Sequence, residues 1–314
     1  MIGLYLVLPL MIIIIIGNRL RAYGFYSDKE ISVLTRTLYW VILPSLVFRS
    51  TYIAGGEILK QKNLFIAANL CYILTTIIAW GEAAFFVHKG NRPRIAAAVL
   101  SAFRGNNLYL GFPVLELAMG ATGIHEGTIY LAVTNVSYQL ISVASGEIAL
   151  NGRLSKKSII SAFKNLVKNP MIIACISGVT AALTGIHVPN VFNETMELIN
   201  GAATPVALIA LGGTLKLSSV SNVIRILRRT WFDSLIKLLI SPAIMLAALV
   251  IFPVNPELDR VTVMLSTMPT AVNCFIMARG MGMDADYAAD LAAATTILSV
   301  AAIPLWADFL GIVK

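Results

Sequence analysis

The feature that most constrains this chain is a series of long apolar runs separated by short polar segments. Ten runs are long enough to cross a bilayer of roughly 30 Å as helices. They cover residues 2–18, 31–53, 64–87, 94–120, 127–149, 166–185, 191–216, 231–252, 258–280 and 286–309. Of the 314 residues, 58% are hydrophobic and 13% charged, whereas about a quarter of the residues in soluble domains are charged. We therefore predict an all-α integral membrane protein with ten transmembrane helices.

Lysine and arginine are distributed unevenly over the predicted loops. They concentrate in the loops after the first, third, fifth and seventh spans, and the loops after the fourth, sixth and eighth carry acids or little charge. Lys60 and Lys62, after the second span, are the exception. Because cytoplasmic loops are enriched in lysine and arginine, we expect both termini outside the cytoplasm. Residues 151–165 are then a cytoplasmic linker between two sets of five spans.

Two of the predicted spans, the fourth and the ninth, contain residues that interrupt a helix. Residues 101–120 (SAFRGNNLYLGFPVLELAMG) combine glycines, paired asparagines and Pro113, and residues 266–280 (STMPTAVNCFIMARG) combine Pro269 with Asn273. In lipid, irregular backbone is tolerated only where it is buried in protein or lines a wet cavity. Interrupted spans at matching places in two halves are typical of a transporter's binding site.

The two interruptions lead to a structural expectation. We expect non-helical backbone at residues 105–113 and 267–273, with spans 4 and 9 as broken helices that cross near the middle of the membrane.

The two halves of the chain carry matching landmarks. Pro44 in the second span corresponds to Pro205 in the seventh, and Pro113 in the fourth span corresponds to Pro269 in the ninth. Each pair is about 160 residues apart, as a duplicated five-span unit requires. Because five is an odd number, the halves should be inverted relative to each other. The predicted five-helix repeats are residues 1–150 and residues 166–314.

Small and polar residues near the interruptions and kinks are candidates for substrate binding. Amides offer donors and acceptors, and nearby helix ends expose unpaired backbone groups. The alternative is that these residues only re-satisfy backbone groups freed by proline. The candidates are Asn106, Asn107, Gly111, Pro113, Pro269, Thr270, Asn273, Pro44, Thr204 and Pro205.

The expected ligand of these residues is an anion. Half-helices that begin after Pro113 and Pro269 should present positive dipole ends. Arg104 and Arg279 are taken to lie outside the interruptions, so the sequence predicts an anion held by dipoles and amides rather than by a full cation.

Ionisable residues inside predicted spans are candidates for ion or proton coupling, because they are costly in a membrane. Glu116 lies one turn past Pro113 and could either bind a proton or a cation or lie near the outer interface. Asp233 and Lys237 are four residues apart, which suits an internal ion pair. Since few acids flank the interruptions, protons or no ion are favoured over sodium. The cysteines and histidines have no metal-ligand spacing, so no metal, cofactor or catalytic residue is expected.

Four segments of the chain resemble the auxin efflux carrier family: VLPLMIIIIIGNRLRAYGFYS, VILPSLVF, GNNLYLGFPVLELAMG and MPTAVNCFIMARGMG. The resemblance implies that spans 4 and 9 cross as discontinuous helices. It also implies a scaffold of spans 1, 2, 6 and 7 and a moving transport domain of spans 3–5 and 8–10, as in bile acid–sodium symporters. By the same likeness Asn106 contacts substrate, and Pro113 and Pro269 are the crossover prolines.

The chain lacks the long central loop of plant members and resembles a short prokaryotic member of that family. Related bacterial carriers are associated with malonate and other small carboxylates. We therefore expect a secondary transporter of a small organic anion in the cell membrane, working by alternating access of the elevator type. The expected partners are this carboxylate and the lipid bilayer, with a homodimer left open and no nucleic acid.

Three other functions stay open at this point. The nearest is a sodium-coupled symporter of the bile acid type. A channel would need a continuous polar lining, whereas the polar residues concentrate at two interruptions. A membrane enzyme would need a convergent nucleophile or metal set, which the sequence does not suggest.

Overall fold

The computed structural model describes residues 2–152, 160, 167–168, 170–215 and 220–312. Within these residues the regular structure is helical, apart from one isolated β-bridge. Most of the linker predicted at residues 151–165 lies outside the described residues.

The helices are numbered here in chain order. They are α1 (Ile2–Ala22), α2 (Asp28–Thr37), α3 (Leu43–Ala54), α4 (Lys62–Glu82), α5 (Arg92–Ser101), α6 (Phe112–Asn151), α7 (Pro170–Leu183), α8 (Asn190–Gly201), α9 (Ala203–Thr214), α10 (Val220–Leu235), α11 (Ser241–Ile251), α12 (Pro256–Ser266), α13 (Cys274–Gly280) and α14 (Ala285–Phe309). In the part of the chain that the structure describes, four π-helical turns adjoin them, at Leu38–Ile42, Ala83–Val87, Asn107–Gly111 and Ile236–Ile240, and a 3₁₀ turn, Gly55–Lys60, follows α3.

Each of the ten apolar runs in the sequence contains helical structure in the described residues, and the fourth and ninth runs also contain a non-helical stretch. By length and composition, five continuous helical segments of the described part could cross a membrane. They are Asp28–Lys60, Lys62–Val87, Asn190–Thr214, Ser221–Ile251 and Ala285–Phe309. These segments correspond to the second, third, seventh, eighth and tenth predicted spans, and the shorter apolar helix Pro170–Leu183 corresponds to the sixth.

Small residues bring α1 and α9 into close contact. A Cβ atom added to Gly212 would lie 2.0 Å from the carbonyl oxygen of Ile14, and one added to Gly17 would lie 2.3 Å from that of Ile209. Asn18 Nδ2 donates to the carbonyl oxygens of Gly212 and Leu215, at 3.2 and 2.7 Å. Glycine therefore lets the two backbones approach, as it does in membrane helix pairs generally.

Both predicted interruptions leave helical geometry, but the first is shorter than expected. The α5 helix ends at Ser101, and a π-helical turn already begins at Asn107. Pro113 is the second residue of α6, where proline is tolerated because the first turn of a helix does not need its N–H. The expectation of non-helical backbone as far as Pro113 is therefore wrong. The second interruption occupies residues 267–273.

The long helix α6 is bent at Gly120, which has φ of +59° and ψ of −140°. This left-handed φ suits glycine. The predicted loop between the fourth and fifth spans is therefore replaced by this sharp bend.

Asp233 and Lys237 do not form the predicted ion pair. Asp233 Oδ2 accepts a hydrogen bond from the Tyr287 hydroxyl and lies 3.1 Å from His88 Nε2. Lys237 Nζ donates to the carbonyl oxygen of Ser266 at 2.8 Å. The reason is local: the chain becomes π-helical at Ile236–Ile240, so the two side chains no longer keep the spacing of an α-helix.

Asp284 holds the start of α14. Its Oδ1 accepts from the Tyr287 backbone N–H at 2.9 Å, and its Oδ2 accepts from Arg94 Nε at 3.0 Å. Burial by itself would raise the pKa of Asp284, but the Tyr287 hydrogen bond and the Arg94 guanidinium outweigh it and hold that pKa below its usual value.

Candidate functional site

The two interruptions meet in space. An antiparallel β-bridge joins Gly105 to Thr270. Beside it the Asn106 N–H donates to the carbonyl oxygen of Pro269 at 2.7 Å, and the Ala271 N–H donates to the carbonyl oxygen of Arg104 at 2.9 Å. Each broken segment thus satisfies backbone groups that the other has freed, as backbone at membrane depth must be satisfied within the protein.

Two glycines of the first interruption allow this close approach. A Cβ atom on Gly105 would lie 2.5 Å from Asn107 Oδ1 and 3.2 Å from the carbonyl oxygen of Leu265. A Cβ atom on Gly111 would lie 2.7 Å from the Leu265 side chain. Gly111, a predicted site residue, is therefore buried in packing against α12.

A cavity of about 180 Å³ lies beside the bridge, and we call it the break cavity. Its walls come from the first interruption, α3, α6 and α7, and from residues 271–273 of the second interruption. Its polar lining residues are Arg104, Asn106, Asn107, Thr134, Asn135, Gln139 and Asn273, together with Tyr39, Tyr109, Tyr130 and Tyr138. The described residues that line it include no aspartate or glutamate.

Arg104 is the charged residue of the break cavity, and it is 1% exposed. One guanidinium nitrogen donates to Gln139 Oε1 at 2.8 Å, and the guanidinium carbon lies 4.8 Å from the ring centroid of Tyr138. Its Nε has no hydrogen-bond partner among the described residues. The cavity therefore contains a buried cation that no lining carboxylate neutralises.

Sequence reasoning placed Arg104 outside the interruption, and this was wrong. The α5 helix ends at Ser101, so Arg104 lies within the non-helical segment, where its carbonyl oxygen accepts from the Ala271 N–H at 2.9 Å. The available signal was a charged residue inside a long apolar run, which is a functional candidate by default.

Three predicted asparagines line the break cavity. Asn106 and Asn107 are 2% and 6% exposed, whereas Asn273 is exposed at the edge of the cavity. Asn106 Nδ2 and Asn107 Oδ1 are buried without a hydrogen-bond partner among the described residues. Such groups are costly to leave unpaired, so the cavity offers both a free donor and a free acceptor.

Asn135 and Gln139 were missed as site residues. They lie four residues apart on α6 and both line the break cavity. Polar residues with that spacing share one helix face, and this pattern could have identified them.

Other predicted residues line a second cavity of about 560 Å³, which we call the vestibule. It lies between α3, α6 and the junction of α8 with α9, and its lining includes Pro113, Glu116 and Thr204. Thr204 Oγ1 donates to Glu116 Oε2 at 2.6 Å. Leu108 lines both the vestibule and the break cavity, so the π-helical turn that contains it separates the two spaces.

The remaining predicted residues line neither cavity. Pro44 is the second residue of α3, and Pro205 is an exposed residue in the first turn of α9. Pro269 and Thr270 contribute backbone groups to the bridge. Asp233 and Lys237 are likewise absent from the lining of both cavities.

The sequence model of a family described as "Membrane transport protein" matches residues 133–307, more than half of the chain. The chain belongs to this membrane transport protein family. The resemblance to auxin efflux carriers is thereby confirmed at the level of the family. This transporter is a multi-pass protein of the cell membrane, embedded in lipid.

Relatives of this transporter cover almost its whole length. An "Uncharacterized transporter" of Methanothermobacter thermautotrophicus is 25% identical over 310 residues, which are 96% of each chain. A Rhizobium meliloti protein named "Putative malonate transporter" is 24% identical over 306 residues, 95% of this chain and 92% of that protein. The "Uncharacterized transporter YfdV" of Escherichia coli is 24% identical over 307 residues, 95% of each chain.

Proposed function

We propose that this transporter moves small carboxylate anions by alternating access and binds them in the break cavity. The observation that carries the proposal is the buried Arg104 guanidinium, which faces a cavity whose described lining residues include no carboxylate. A buried charge without a partner costs several kcal/mol. A bound carboxylate offsets that cost, so the site favours an anion over a neutral or cationic ligand.

The amides and the size of the break cavity define the ligand further. The buried Asn106 Nδ2 is a free donor for a second carboxylate oxygen. Pockets for drug-sized ligands have volumes of about 300–1,000 Å³, whereas this cavity has about 180 Å³, which suits a smaller ligand. The name of the Rhizobium meliloti relative, which specifies malonate, belongs to the same chemical class.

Helix dipoles contribute less to anion binding than the sequence suggests. The α13 helix has seven residues, Cys274–Gly280, and is too short to sum a large dipole. The π-helical turn that leads into α6 begins at Asn107, which lines the cavity. The main positive charge at the site is therefore the guanidinium of Arg104.

The proposed architecture is ten spans in two inverted five-helix repeats, residues 1–150 and 166–314. Two tight helix pairs, α1 with α9 and α3 with α7, support this architecture. These helices belong to the first and seventh and to the second and sixth spans, and a five-span repeat would map the first pair onto the second. Each pair has a glycine at its contact. A Cβ atom on Gly178 of α7 would lie 2.5 Å from the carbonyl oxygen of Phe48 of α3. In the same way, a Cβ atom on Gly212 of α9 would meet the carbonyl oxygen of Ile14 of α1.

The scaffold in this proposal is α1–α3 with α7–α9, and the transport domain is α4–α6 with α10–α14. Both cavities have walls from each group, because α3 faces α6 in both. A cavity at such a boundary can be opened to one side or the other by movement of the transport domain, which supports an elevator mechanism. Leu108, which lines both cavities, belongs to the barrier between them.

A ligand screen with charge-matched pairs tests the proposed substrate class. The melting temperature of the purified protein is measured with malonate and with malonamide, which has a similar shape without charge. We expect malonate or another small carboxylate to raise the melting temperature, and the matching amide to leave it unchanged. Equal stabilisation by acid and amide, or stabilisation by neutral ligands alone, would contradict the proposal.

A further inference from the structure

A second buried polar cluster lies where the end of α4 meets α10 and α14. Its members His88, Asp233 and Tyr287 are 6%, 4% and 0% exposed. The Tyr287 hydroxyl donates to Asp233 Oδ2, and His88 Nε2 lies 3.1 Å from that oxygen and 3.0 Å from the Tyr287 hydroxyl. Asp233 Oδ1 and both carboxylate oxygens of Glu82 are buried without a hydrogen-bond partner among the described residues.

Two arginines and two aspartates of the described residues form ion pairs beside this cluster. Arg94 and Arg229 lie over the Tyr287 ring, with guanidinium carbons 5.5 and 5.2 Å from its centroid. Arg94 pairs with Asp284, and Arg229 pairs with Asp284 and Asp290. The inner part of the cluster is left with the Asp233 carboxylate, which faces the His88 imidazole, and with the Glu82 carboxylate, whose buried oxygens have no hydrogen-bond partner among the described residues.

This inner part holds an excess of negative charge when both carboxylates are ionised. Burying an ionised carboxylate without hydrogen bonds is costly, and such groups tend to neutralise instead. A proton taken up from water by a carboxylate oxygen removes one negative charge without any change in the surrounding ion pairs.

The two helices that carry these carboxylates each contain a π-helical turn beside them, at Ala83–Val87 and at Ile236–Ile240. Turns of this kind are rare in proteins as a whole, and those that occur often lie at functional sites. Lys237 belongs to the second turn, is 0% exposed, and donates to the carbonyl oxygen of Ser266. Ser266 is the last residue of α12, directly before the second interruption. The π-helical turn at Ile236–Ile240 therefore connects the polar cluster with the start of the second interruption, whose residues 271–273 line the break cavity.

We propose that Glu82, His88, Asp233 and Tyr287 form a proton-binding site that couples proton movement to anion transport. The coupling rests on the function proposed above, whereas proton binding does not. Protonation neutralises the carboxylate that holds the Tyr287 hydroxyl. The π-helical turn next to Asp233 then transmits the change through Lys237 to the second interruption.

Infrared spectroscopy tests proton binding without any substrate. The purified protein is titrated between roughly pH 5 and pH 8, and the carbonyl band of protonated carboxylic acids is recorded. We expect this band to grow as pH falls, and to be lost or diminished in Asp233→Asn and in Glu82→Gln. The exposed Asp308→Asn is the matched control and should keep it. A band that does not titrate, or that is unchanged in both variants, would overturn the proton site.

A transport assay tests coupling. Malonate uptake into proteoliposomes is measured with and without a pH gradient at a clamped membrane potential. We expect the gradient to accelerate uptake by the wild type, and Tyr287→Phe, which removes a single hydroxyl, to lose this acceleration while malonate exchange at equal pH continues. Undiminished acceleration in both Tyr287→Phe and Asp233→Asn would overturn the coupling. If the wild type binds and moves no carboxylate, the proposed function fails, and the infrared titration still decides the proton site.

Discussion

Replacement of Arg104 by glutamine is the sharpest perturbation of the proposed anion site. A hydrogen bond to a charged group contributes about 1.5–3 kcal/mol, and each 1.4 kcal/mol corresponds to a factor of ten in affinity. Loss of one guanidinium–carboxylate hydrogen bond should therefore weaken carboxylate binding by about 10- to 150-fold.

The same substitution should leave the ligand-free protein folded. It removes the hydrogen bond to Gln139 and the contact with the Tyr138 ring, which together contribute about 2–5 kcal/mol. It also removes a buried charge without a carboxylate partner, and the cost of such a charge is several kcal/mol. Because these terms nearly cancel, we expect a small change in the melting temperature without ligand.

Binding of radiolabelled malonate to purified protein, with thermal melting in parallel, measures both quantities. Arg36→Gln is the matched control, because Arg36 is exposed on α2 and lines neither cavity. We expect Arg104→Gln to weaken binding and Arg36→Gln to bind as the wild type does. A folded Arg104→Gln protein that binds malonate with wild-type affinity would refute the assignment of Arg104 to the anion.

Four further predictions follow from the structure and the sequence. Alkaline phosphatase fused to the C-terminus should be active and the same enzyme inserted at residues 151–165 inactive, since the basic loops indicate a cytoplasmic linker; the reverse pattern would exclude the topology. Asn106→Ala should weaken carboxylate binding by about 2- to 12-fold, the worth of one amide hydrogen bond, and the exposed Asn273 should matter less; wild-type binding by both variants would make these amides structural. Gly212→Ala should lower the melting temperature, because its Cβ atom would meet a backbone carbonyl at 2.0 Å and overpacking costs about 1–3 kcal/mol; an unchanged melting curve would argue against this helix contact. The pKa of Asp284 is lowered in the folded protein, so the stability that it contributes is present above its unfolded pKa and is lost as pH falls through the folded pKa. Asp284→Asn should therefore reduce the loss of stability in acid, as acid melts of both proteins would reveal.

The sequence was most informative where hydrophobicity and backbone chemistry act locally. Length and composition located the helical segments, because a run of apolar residues in lipid has to satisfy its backbone internally. Glycine, proline and paired asparagines likewise marked both interruptions. Asn106 and Asn107 were predicted as site residues and line the break cavity.

The sequence was less informative where a side chain's role depends on the exact end of an element. Arg104 was excluded because the interruption was predicted to begin at residue 105, whereas α5 already ends at Ser101. This difference of three residues in the start of the interruption moves Arg104 from a helix to the cavity wall. Asp233 and Lys237 were paired because an α-helical spacing was assumed, whereas a π-helical turn begins between them. Such turns depend on tertiary partners, here His88 and the carbonyl oxygen of Ser266, which no local pattern reveals.

The bridge between Gly105 and Thr270 also has a consequence for biogenesis. The chain is synthesised from its N-terminus, so the first interruption enters the membrane long before the second exists. Until then the Asn106 N–H and the Arg104 carbonyl lack the partners that Pro269 and Ala271 later supply, and each unsatisfied group costs several kcal/mol in lipid. The nascent first half must therefore keep this segment hydrated or shielded, and the proposed anion site is completed only when the last helices insert.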